Sequence, residues 1–260
     1  MSRPVALECE SLSKHYGGLL AVQDVSFRVY VGETLGLVGP NGAGKSTVID
    51  LITGVQRADR GRVVVDGRVL KGSPSHRANA GGLGRTFQHP QLSPDLTVYE
   101  NMLVNVTARQ LHSPAGQIRS LLRGLLRPTY GQAEPEVRRV AADVGVNDVG
   151  RLCSDLDLGS MRVVEFARAL AQRPKVLLLD EPFVGSDAAT LEHVTAALTR
   201  VREAGCGVIL VDHNVDLVAS IVDRIVLMSG GRVVFDGDPA ECLASDEMRR
   251  VYFGSRRAHT

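Results

Sequence analysis

The chain has 260 residues, 44% of them hydrophobic and 4% aromatic, and its 30 basic and 29 acidic side chains give a net charge of +1. This length predicts one large domain, or one domain that carries a substantial insertion. The near-neutral charge argues against a large phosphate-backbone footprint, so no nucleic-acid partner is expected. No apolar run reaches the roughly 18 to 20 residues of a membrane-spanning helix, and the first residues do not resemble a secretory signal. Four scattered cysteines without a C-x-x-C pair argue against a zinc framework and favour a reducing cytosol.

Strand and helix signals alternate along the chain in the order of an α/β fold. Strands are predicted at residues 5–12, 25–31, 34–38, 62–66, 82–87, 176–179 and 207–211. Helices are predicted at residues 48–52, 137–144, 162–172, 188–203 and 215–221. The last two strands are continuous apolar runs, which is typical of strands covered on both faces. The order therefore predicts a largely parallel sheet interrupted by a helical insertion.

A glycine-rich segment between a predicted strand and a predicted helix matches the pattern G-x-x-x-x-G-K-[ST]. Its residues, all candidates for phosphate binding, are Gly39, Pro40, Asn41, Gly42, Ala43, Gly44, Lys45, Ser46 and Thr47. Glycines let backbone N–H groups surround phosphates at the positive end of a helix dipole. Lys45 can then reach the β- and γ-phosphates, and the Ser46 hydroxyl can hold Mg²⁺. Ligand-free glycine turns also join strands to helices, but the flanking elements here favour a nucleotide site.

Two carboxylates, Asp180 and Glu181, follow the apolar run at residues 176–179. Asp180 is suited to hold Mg²⁺ through water. Glu181 is placed to polarise a water that attacks the γ-phosphate. An Asp-Glu pair at a strand end is a weak signal alone, because strand ends often carry solvated acids. Together with the phosphate loop, the pair predicts a nucleotide-hydrolysing site.

The series of motifs resembles the nucleotide-binding subunit of ABC transporters over nearly the whole chain. By this resemblance Tyr16 stacks on adenine, Gln88 senses Mg²⁺ and the γ-phosphate, and His213 contacts the γ-phosphate as the switch histidine. Residues 156–160, including Asp157 and Gly159, occupy the position of the signature motif, and Asp187 belongs to the D-loop. Each of these residues has an ordinary structural role as an alternative, but the common order of the motifs favours the resemblance.

The resemblance implies an ABC-type ATPase domain with a RecA-like P-loop NTPase core and an antiparallel β edge. It implies a core at residues 1–90 and 173–260, and a helical insertion at residues 91–172 that carries the signature. ATP and Mg²⁺ are the implied cofactors, and Gln88 joins Ser46 and Asp180 as an implied metal ligand. The implied partners are a second ATP-binding subunit and transmembrane permease subunits, on the cytoplasmic face of the membrane. Direct contact with the transported solute is not implied.

Within the ABC family, the segments around these motifs resemble the subunits that serve branched-chain amino-acid uptake. The relevant segments are residues 84–88, 96–101, 212–218 and 251–254, together with the insertion at 108–136. Urea importers and lipopolysaccharide exporters share much of this pattern and remain alternatives. A nucleotide-dependent switch outside transport, with weak hydrolysis, is a further alternative.

The signature departs from the family's usual Leu-Ser-Gly-Gly-Gln. Asp157 replaces the serine, Leu158 the first glycine and Ser160 the glutamine, whereas Gly159 is kept. On one interpretation an ionised Asp157 repels the phosphate bound to the opposite subunit. On the other it caps the following helix, while backbone N–H groups still hold the phosphate. The departure favours a heterodimer with one competent and one weakened site, although a homodimer is possible.

Residues 118–127 combine arginines at a spacing of four with leucines on an adjacent arc. One interpretation is a short helix that touches anionic lipid headgroups or the membrane partner. The other is an amphipathic helix docked on the insertion with a solvated basic face.

Overall fold

The computed structural model describes residues 3–79, 81–87, 90–111, 130–183 and 188–253. Within these ranges the strands are β1 (Val5–Tyr16), β2 (Leu19–Tyr30), β3 (Thr34–Val38), β4 (Arg60–Val65), β5 (Arg68–Val69), β6 (Leu83–Arg85), β7 (Val176–Asp180), β8 (Gly207–Val211), β9 (Arg224–Ser229) and β10 (Arg232–Gly237). The helices are α1 (Lys45–Thr53), α2 (Pro74–Asn79), α3 (Val98–Leu111), α4 (Tyr130–Asp143), α5 (Leu158–Ala171), α6 (Ala188–Glu203), α7 (Val215–Ile221), α8 (Pro239–Ala244) and α9 (Asp246–Phe253).

A four-stranded antiparallel sheet forms one edge of the molecule, in the order β2-β1-β4-β5. Strand β2 alternates buried Val25, Phe27 and Val29 with more exposed residues, as a sheet with one covered face requires. The alternation that predicts this strand from sequence extends to Val31, but β2 ends one residue earlier and Val31 is exposed.

The larger sheet has the order β10-β9-β3-β8-β7-β6, and all of its neighbours are parallel except β10 and β9. Strands β3 and β8 are buried along their whole length, and β7 is buried until its last residue. Successive residues of β7 belong to different cores: Val176 and Leu178 face the antiparallel sheet, whereas Leu177 and Leu179 face the helices. The sheet is therefore covered on both faces, which accounts for its continuous apolar strands.

Helices α3, α4 and α5 pack against one another between β6 and β7 in the sequence. Two ion pairs join this helical layer to the rest of the chain. Arg200 of α6 lies 3.1 Å from Asp143 of α4, and Arg173 lies 2.7 Å from Glu136 of α4. None of the helices in the described ranges combines the length and the apolar character needed to cross a bilayer.

The predicted α/β fold with an antiparallel edge and a helical interruption is confirmed by this architecture. The helices predicted at residues 188–203 and 215–221 coincide with α6 and α7. Strand β9, which pairs directly with β3, is not predicted from the sequence, nor are β10 and the two C-terminal helices. The whole Arg/Leu segment at 118–127, and most of the surrounding insertion at 108–136, lie outside the described residues.

Candidate functional site

Three neighbouring strands of the larger sheet, β3, β8 and β7, direct their carboxyl ends to the same edge. The glycine-rich loop follows β3, Glu181 follows β7, and His213 comes shortly after β8. Ligands of open parallel sheets bind at such an edge. The topology thus brings together three segments that are far apart in the sequence.

The loop between β3 and α1 adopts a conformation that only glycine tolerates well. Gly42 and Gly44 have φ of 79° and 100°, and a side chain on Gly39 would lie 2.3 Å from the backbone oxygen of Met228. Gly44 caps α1 in the left-handed conformation, and no side chain of the described residues caps this helix end. Its backbone N–H groups therefore remain available to an anion, and the helix dipole favours one there.

Lys45 bends back over this loop. Its Nζ donates to the carbonyl oxygens of Gly39 at 2.6 Å and Pro40 at 3.1 Å. Burial lowers the pKa of Lys45, whereas the carboxylates of Glu181 and Asp180 oppose this shift. A triphosphate in the loop offers the ammonium a stronger, ionised acceptor than either carbonyl.

The other loop residues have the exposure that a binding surface needs. Asn41, Gly42 and Ser46 are exposed, and Thr47 is half-buried, whereas Ala43 is buried. The Ala43 N–H donates to the Pro40 carbonyl at 3.1 Å, which closes the turn.

Asp180, the last residue of β7, is paired with Arg85 at 3.5 Å. Arg85 also binds Asp50 of α1 at 2.8 Å, so it connects the phosphate-loop helix to the strand that carries the acidic pair. Burial raises the pKa of Asp180, and the charge of Arg85 counteracts this shift.

Glu181 has a left-handed backbone, with φ of 50°, which is uncommon for a residue other than glycine. The Glu181 N–H donates to the Val211 carbonyl at 2.8 Å, and the Arg162 guanidinium donates to the Glu181 carbonyl at 3.1 Å. His213 Nδ1 lies 3.7 Å from Glu181 Oε1 and 3.4 Å from Oδ1 of the buried Asp212. The backbone at Glu181 is therefore held from both sides, and its carboxylate lies beside the imidazole.

The segment in the signature position forms the start of α5. Asp157 is its N-cap: one carboxylate oxygen accepts from the Ser160 N–H at 2.8 Å and the other from the Ser160 hydroxyl at 3.1 Å. These hydrogen bonds lower the pKa of Asp157. Leu158 follows with about half of its surface exposed (51%), and Gly159 is half-buried. Asp157 therefore caps the helix, as the second interpretation of its sequence position expects. Its carboxylate is ionised at neutral pH.

Tyr16 ends β1 with 42% of its surface exposed, and Lys14 Nζ lies 5.5 Å from the centroid of its ring. The next strand of the same hairpin reaches the phosphate loop, since the Ala21 carbonyl would lie 2.6 Å from a side chain on Gly44. An exposed aromatic ring on this hairpin is available for stacking. Gln88 and Asp187 lie outside the described residues.

The sequence motifs do not single out several residues that shape this site. Arg85 links the acidic pair to α1, Arg162 holds the Glu181 backbone, and Asp212 lies behind His213. Each is a charged residue in or next to an apolar segment, and charges in such segments are usually paired. That is the signal by which they can be found.

Comparison with known proteins gives the same result as the geometry. The ABC transporter family profile matches residues 22–184. The high-affinity branched-chain amino acid transport ATP-binding protein BraF of Pseudomonas aeruginosa is 34% identical over 98% of this chain and 99% of its own. The lipopolysaccharide export system ATP-binding protein LptB of Haemophilus influenzae is 32% identical over 96% of this chain and 98% of its own. A crystal structure of the ADP conformation of an ATP-binding cassette of an ABC transporter matches with a TM-score of 0.81 and 27% identity, covering 96% of this chain and 99% of that one.

The chain therefore belongs to the ABC transporter family, as an ATP-binding subunit. It is an ATPase that energises a transporter, and its fold is that of the ABC ATPase cassettes. Subunits of this kind work with transmembrane permease components.

Proposed function

We propose that this chain energises the uptake of branched-chain amino acids or a similar small polar solute, working at the inner face of the cell membrane. The main support for nucleotide hydrolysis is the loop at residues 39–47. It leads into the first turn of α1, which no side chain of the described residues caps, and it lies at the same sheet edge as Glu181 and His213. Two features favour this solute: the likeness to BraF over nearly the full length, and the flanking segments 96–101 and 212–218. Lipopolysaccharide export is the second candidate, because LptB is almost equally similar. Urea-type transport and a non-transport switch are less well supported.

Each predicted site residue has a proposed role on this arrangement. The backbone of residues 39–47 and Lys45 hold the phosphates, and Tyr16 stacks on the adenine. Glu181 accepts a proton from the attacking water, and His213 donates to the γ-phosphate. Gly159 and Asp157 face the nucleotide of the partner subunit, and Asp187 has the role of the D-loop aspartate that the family resemblance implies.

Magnesium fits the oxygen donors of this site. Mg²⁺ prefers carboxylate and hydroxyl oxygens and keeps several waters, so it is usually held by few protein ligands together with substrate phosphates. The described residues contain no group of three or more His, Cys, Asp and Glu side chains that could hold a metal alone. Ser46, Asp180 and Gln88 are the proposed ligands, and the bound ion would neutralise phosphate charge.

Binding of MgATP to the full chain, measured by isothermal calorimetry, tests the nucleotide site. Heat that saturates at one nucleotide per chain supports the proposal, and a folded chain that gives no heat overturns it. Reconstitution with the co-expressed permease and binding protein tests the solute. ATPase stimulation by leucine supports the amino-acid assignment, whereas stimulation by lipopolysaccharide supports the second candidate.

The permease is proposed to dock in a groove that Phe87, the residue before Gln88 in the sequence, helps to line. This groove, of about 260 Å³, is lined by Val55, Pro74, Ala78, Phe87 and Arg168 among others. Val55 and Phe87 expose 49% and 38% of their surfaces there. Exposed apolar side chains in a concave surface mark contact sites for a partner. On this proposal the core (1–90 and 173–260) and the helical insertion (91–172) both contribute to the groove.

Replacing Val55 with glutamate should weaken the interaction with the permease. An unpaired carboxylate buried in an apolar contact costs more than the roughly 1–3 kcal/mol of a neutral polar group, so we expect association to be at least about tenfold weaker. Co-purification and permease-stimulated ATPase measure the effect, and MgATP affinity of the subunit alone should not change. Val69→Glu, on β5 and 40% exposed, is the matched control. Normal assembly of the Val55 variant would contradict this docking site.

The altered signature is proposed to weaken the nucleotide site that it completes. The Asp157 carboxylate is ionised and accepts the Ser160 N–H, one of the groups that could otherwise hold phosphate. This chain would then pair with a second cassette that has an intact signature, in a heterodimer with one competent site. A homodimer would have two weakened sites.

Replacing Asp157 with serine should raise the hydrolysis rate of the purified chain, which we expect to be low. Relief of about 1 kcal/mol of charge repulsion corresponds to about a fivefold gain. Serine is also a good N-cap, so the thermal unfolding temperature should change little. Asp155→Ser, two residues earlier and also exposed, removes the same charge and serves as the control. An Asp157 variant that hydrolyses ATP no faster than the parent would count against the asymmetric assembly.

A further inference from the structure

Glu165 is a buried carboxylate on the helix that begins at the signature. It lies in α5 with only 1% of its surface exposed, next to the buried Val164 and Phe166. A carboxylate in such surroundings needs strong hydrogen bonds, because burial without partners is costly. The hydrogen-bond partners of Glu165 therefore explain why a glutamate occupies this position.

Both oxygens of Glu165 accept backbone N–H groups from a single loop. Oε2 accepts from Phe87 at 3.1 Å and Oε1 from Gln91 at 2.9 Å. Arg168, one turn further along α5, donates to the Gln91 carbonyl at 2.5 Å and lies 3.6 Å from Glu165 Oε1. Two side chains of one helix thus hold both polar backbone groups of Gln91.

These contacts determine where the chain enters and leaves the segment that contains Gln88. Phe87 and Gln91 flank residues 88–90, and both are held through backbone atoms, so the contacts fix the chain at these two flanking positions. On the other side, the ring centroid of Phe87 lies 4.8 Å from the Arg85 guanidinium, which binds Asp180. Phe87 is therefore anchored to α5 and, through Arg85, to the acidic strand end, and Gln91 is anchored to α5.

The same helix touches two other parts of the site. Its N-cap is Asp157, in the signature position, and Arg162 donates to the Glu181 carbonyl at 3.1 Å. Within three turns, α5 thus contacts the surface offered to the partner's nucleotide, the Glu181 backbone and the Gln88 segment. A helix is stiff over this length, so a displacement at its first turn moves the other contacts with it.

We propose that Glu165 is a positioning residue that ties the Gln88 segment to the signature helix, so that nucleotide engaged by the signature aligns Gln88 for hydrolysis. This inference rests on the proposed roles of Gln88 and of the signature. Glu165 contacts neither nucleotide nor water on this proposal. It acts by holding the Phe87 and Gln91 backbone.

The test is Glu165→Gln in the full-length chain. Glutamine keeps the shape, but one oxygen becomes an NH₂ group that faces a backbone N–H, and Arg168 loses its charged neighbour. We expect kcat for ATP to fall about tenfold with KM changed less than twofold, because misplacement of a reacting group affects the chemical step more than binding. Hydrogen exchange of the peptide that covers residues 83–95 should become faster by a similar factor.

Glu136→Gln is the control, since Glu136 is another ion-paired glutamate, half-buried on α4 rather than fully buried. It should show neither the fall in kcat nor the faster exchange at residues 83–95. If Glu165→Gln does not fold, Arg168→Gln removes the other anchor of Gln91 and should lower kcat in the same way. Parent-like kcat and exchange in whichever variant folds would overturn the inference. A parent chain that neither binds nor hydrolyses MgATP would instead refute the proposed function.

Discussion

Replacing Lys45 with alanine should weaken the binding of MgATP by roughly 100-fold, because each charge-assisted hydrogen bond to a phosphate contributes about 1.5–3 kcal/mol. Lys45 Nζ already lies over the loop, where it donates to the Gly39 and Pro40 carbonyls. Its ammonium needs only to exchange these acceptors for phosphate oxygens. Isothermal calorimetry with MgATP measures the loss directly.

The stability of the nucleotide-free chain should not fall in this variant. Burial lowers the pKa of Lys45, so the protonated side chain is disfavoured in the folded state, and the relief of that cost offsets the loss of its hydrogen bonds to the Gly39 and Pro40 carbonyls. The folded-state pKa is below the unfolded one, so this penalty is fully present at neutral pH and is lost as the pH rises from the folded-state pKa through the unfolded value. Thermal unfolding should give an unchanged or higher Tm without nucleotide, and a much smaller upward shift with it.

Lys71→Ala is the control for this prediction, since Lys71 is an exposed lysine outside the site. It removes the same charge and should bind MgATP like the parent. Tight binding by the Lys45 variant would mean that the phosphates lie elsewhere, and the proposed site would have to be abandoned.

Replacing Glu181 with glutamine should slow ATP hydrolysis by about 100- to 10,000-fold, which is the range for loss of a general base. Glutamine has the same size and reaches the same position beside His213, which lies 3.7 Å from the carboxylate in the parent. It cannot accept a proton from the attacking water. MgATP should bind at least as tightly, because one negative charge near the phosphates is removed.

Single-turnover measurement of phosphate release separates this variant from one that fails to bind. On the proposal that bound nucleotide joins two subunits, light scattering or sedimentation with ATP should also show a longer-lived pair, since the nucleotide is not consumed. Glu203→Gln, at the exposed end of α6, is the charge-matched control. Phosphate release at the parental rate would show that a group other than Glu181 activates the water.

The sequence predicts the fold well where one element is separated from the next by a clear break. Helix α6 and helix α7 agree with their predicted bounds. Strand β9 is missed because only Val222 and Asp223 separate it from α7, and periodicity alone does not separate two apolar segments that lie so close together. Strand β1 continues to Tyr16 through polar residues, because pairing with β2 overrides their weak strand preference.

The sequence predicts those parts of the site whose residues lie within one local motif. The phosphate loop needs glycines beside a strand and a helix, and this requirement is written within nine consecutive residues. The contacts of Arg85 with Asp50 and of Glu165 with Phe87 join residues 35 and 78 positions apart. Sequence shows that such charges stand in apolar surroundings, but only the folded chain shows what neutralises them.

The left-handed backbone at Glu181 has a consequence for the evolution and engineering of this protein. Holding a non-glycine residue in that conformation costs on the order of 1–3 kcal/mol, a penalty that the flanking contacts from Val211 and Arg162 must outweigh. A library screened for heat resistance alone would tend to replace this glutamate with glycine or asparagine. Selection for catalytic activity must therefore oppose these replacements. The most heat-resistant variants from such a screen would be inactive as ATPases.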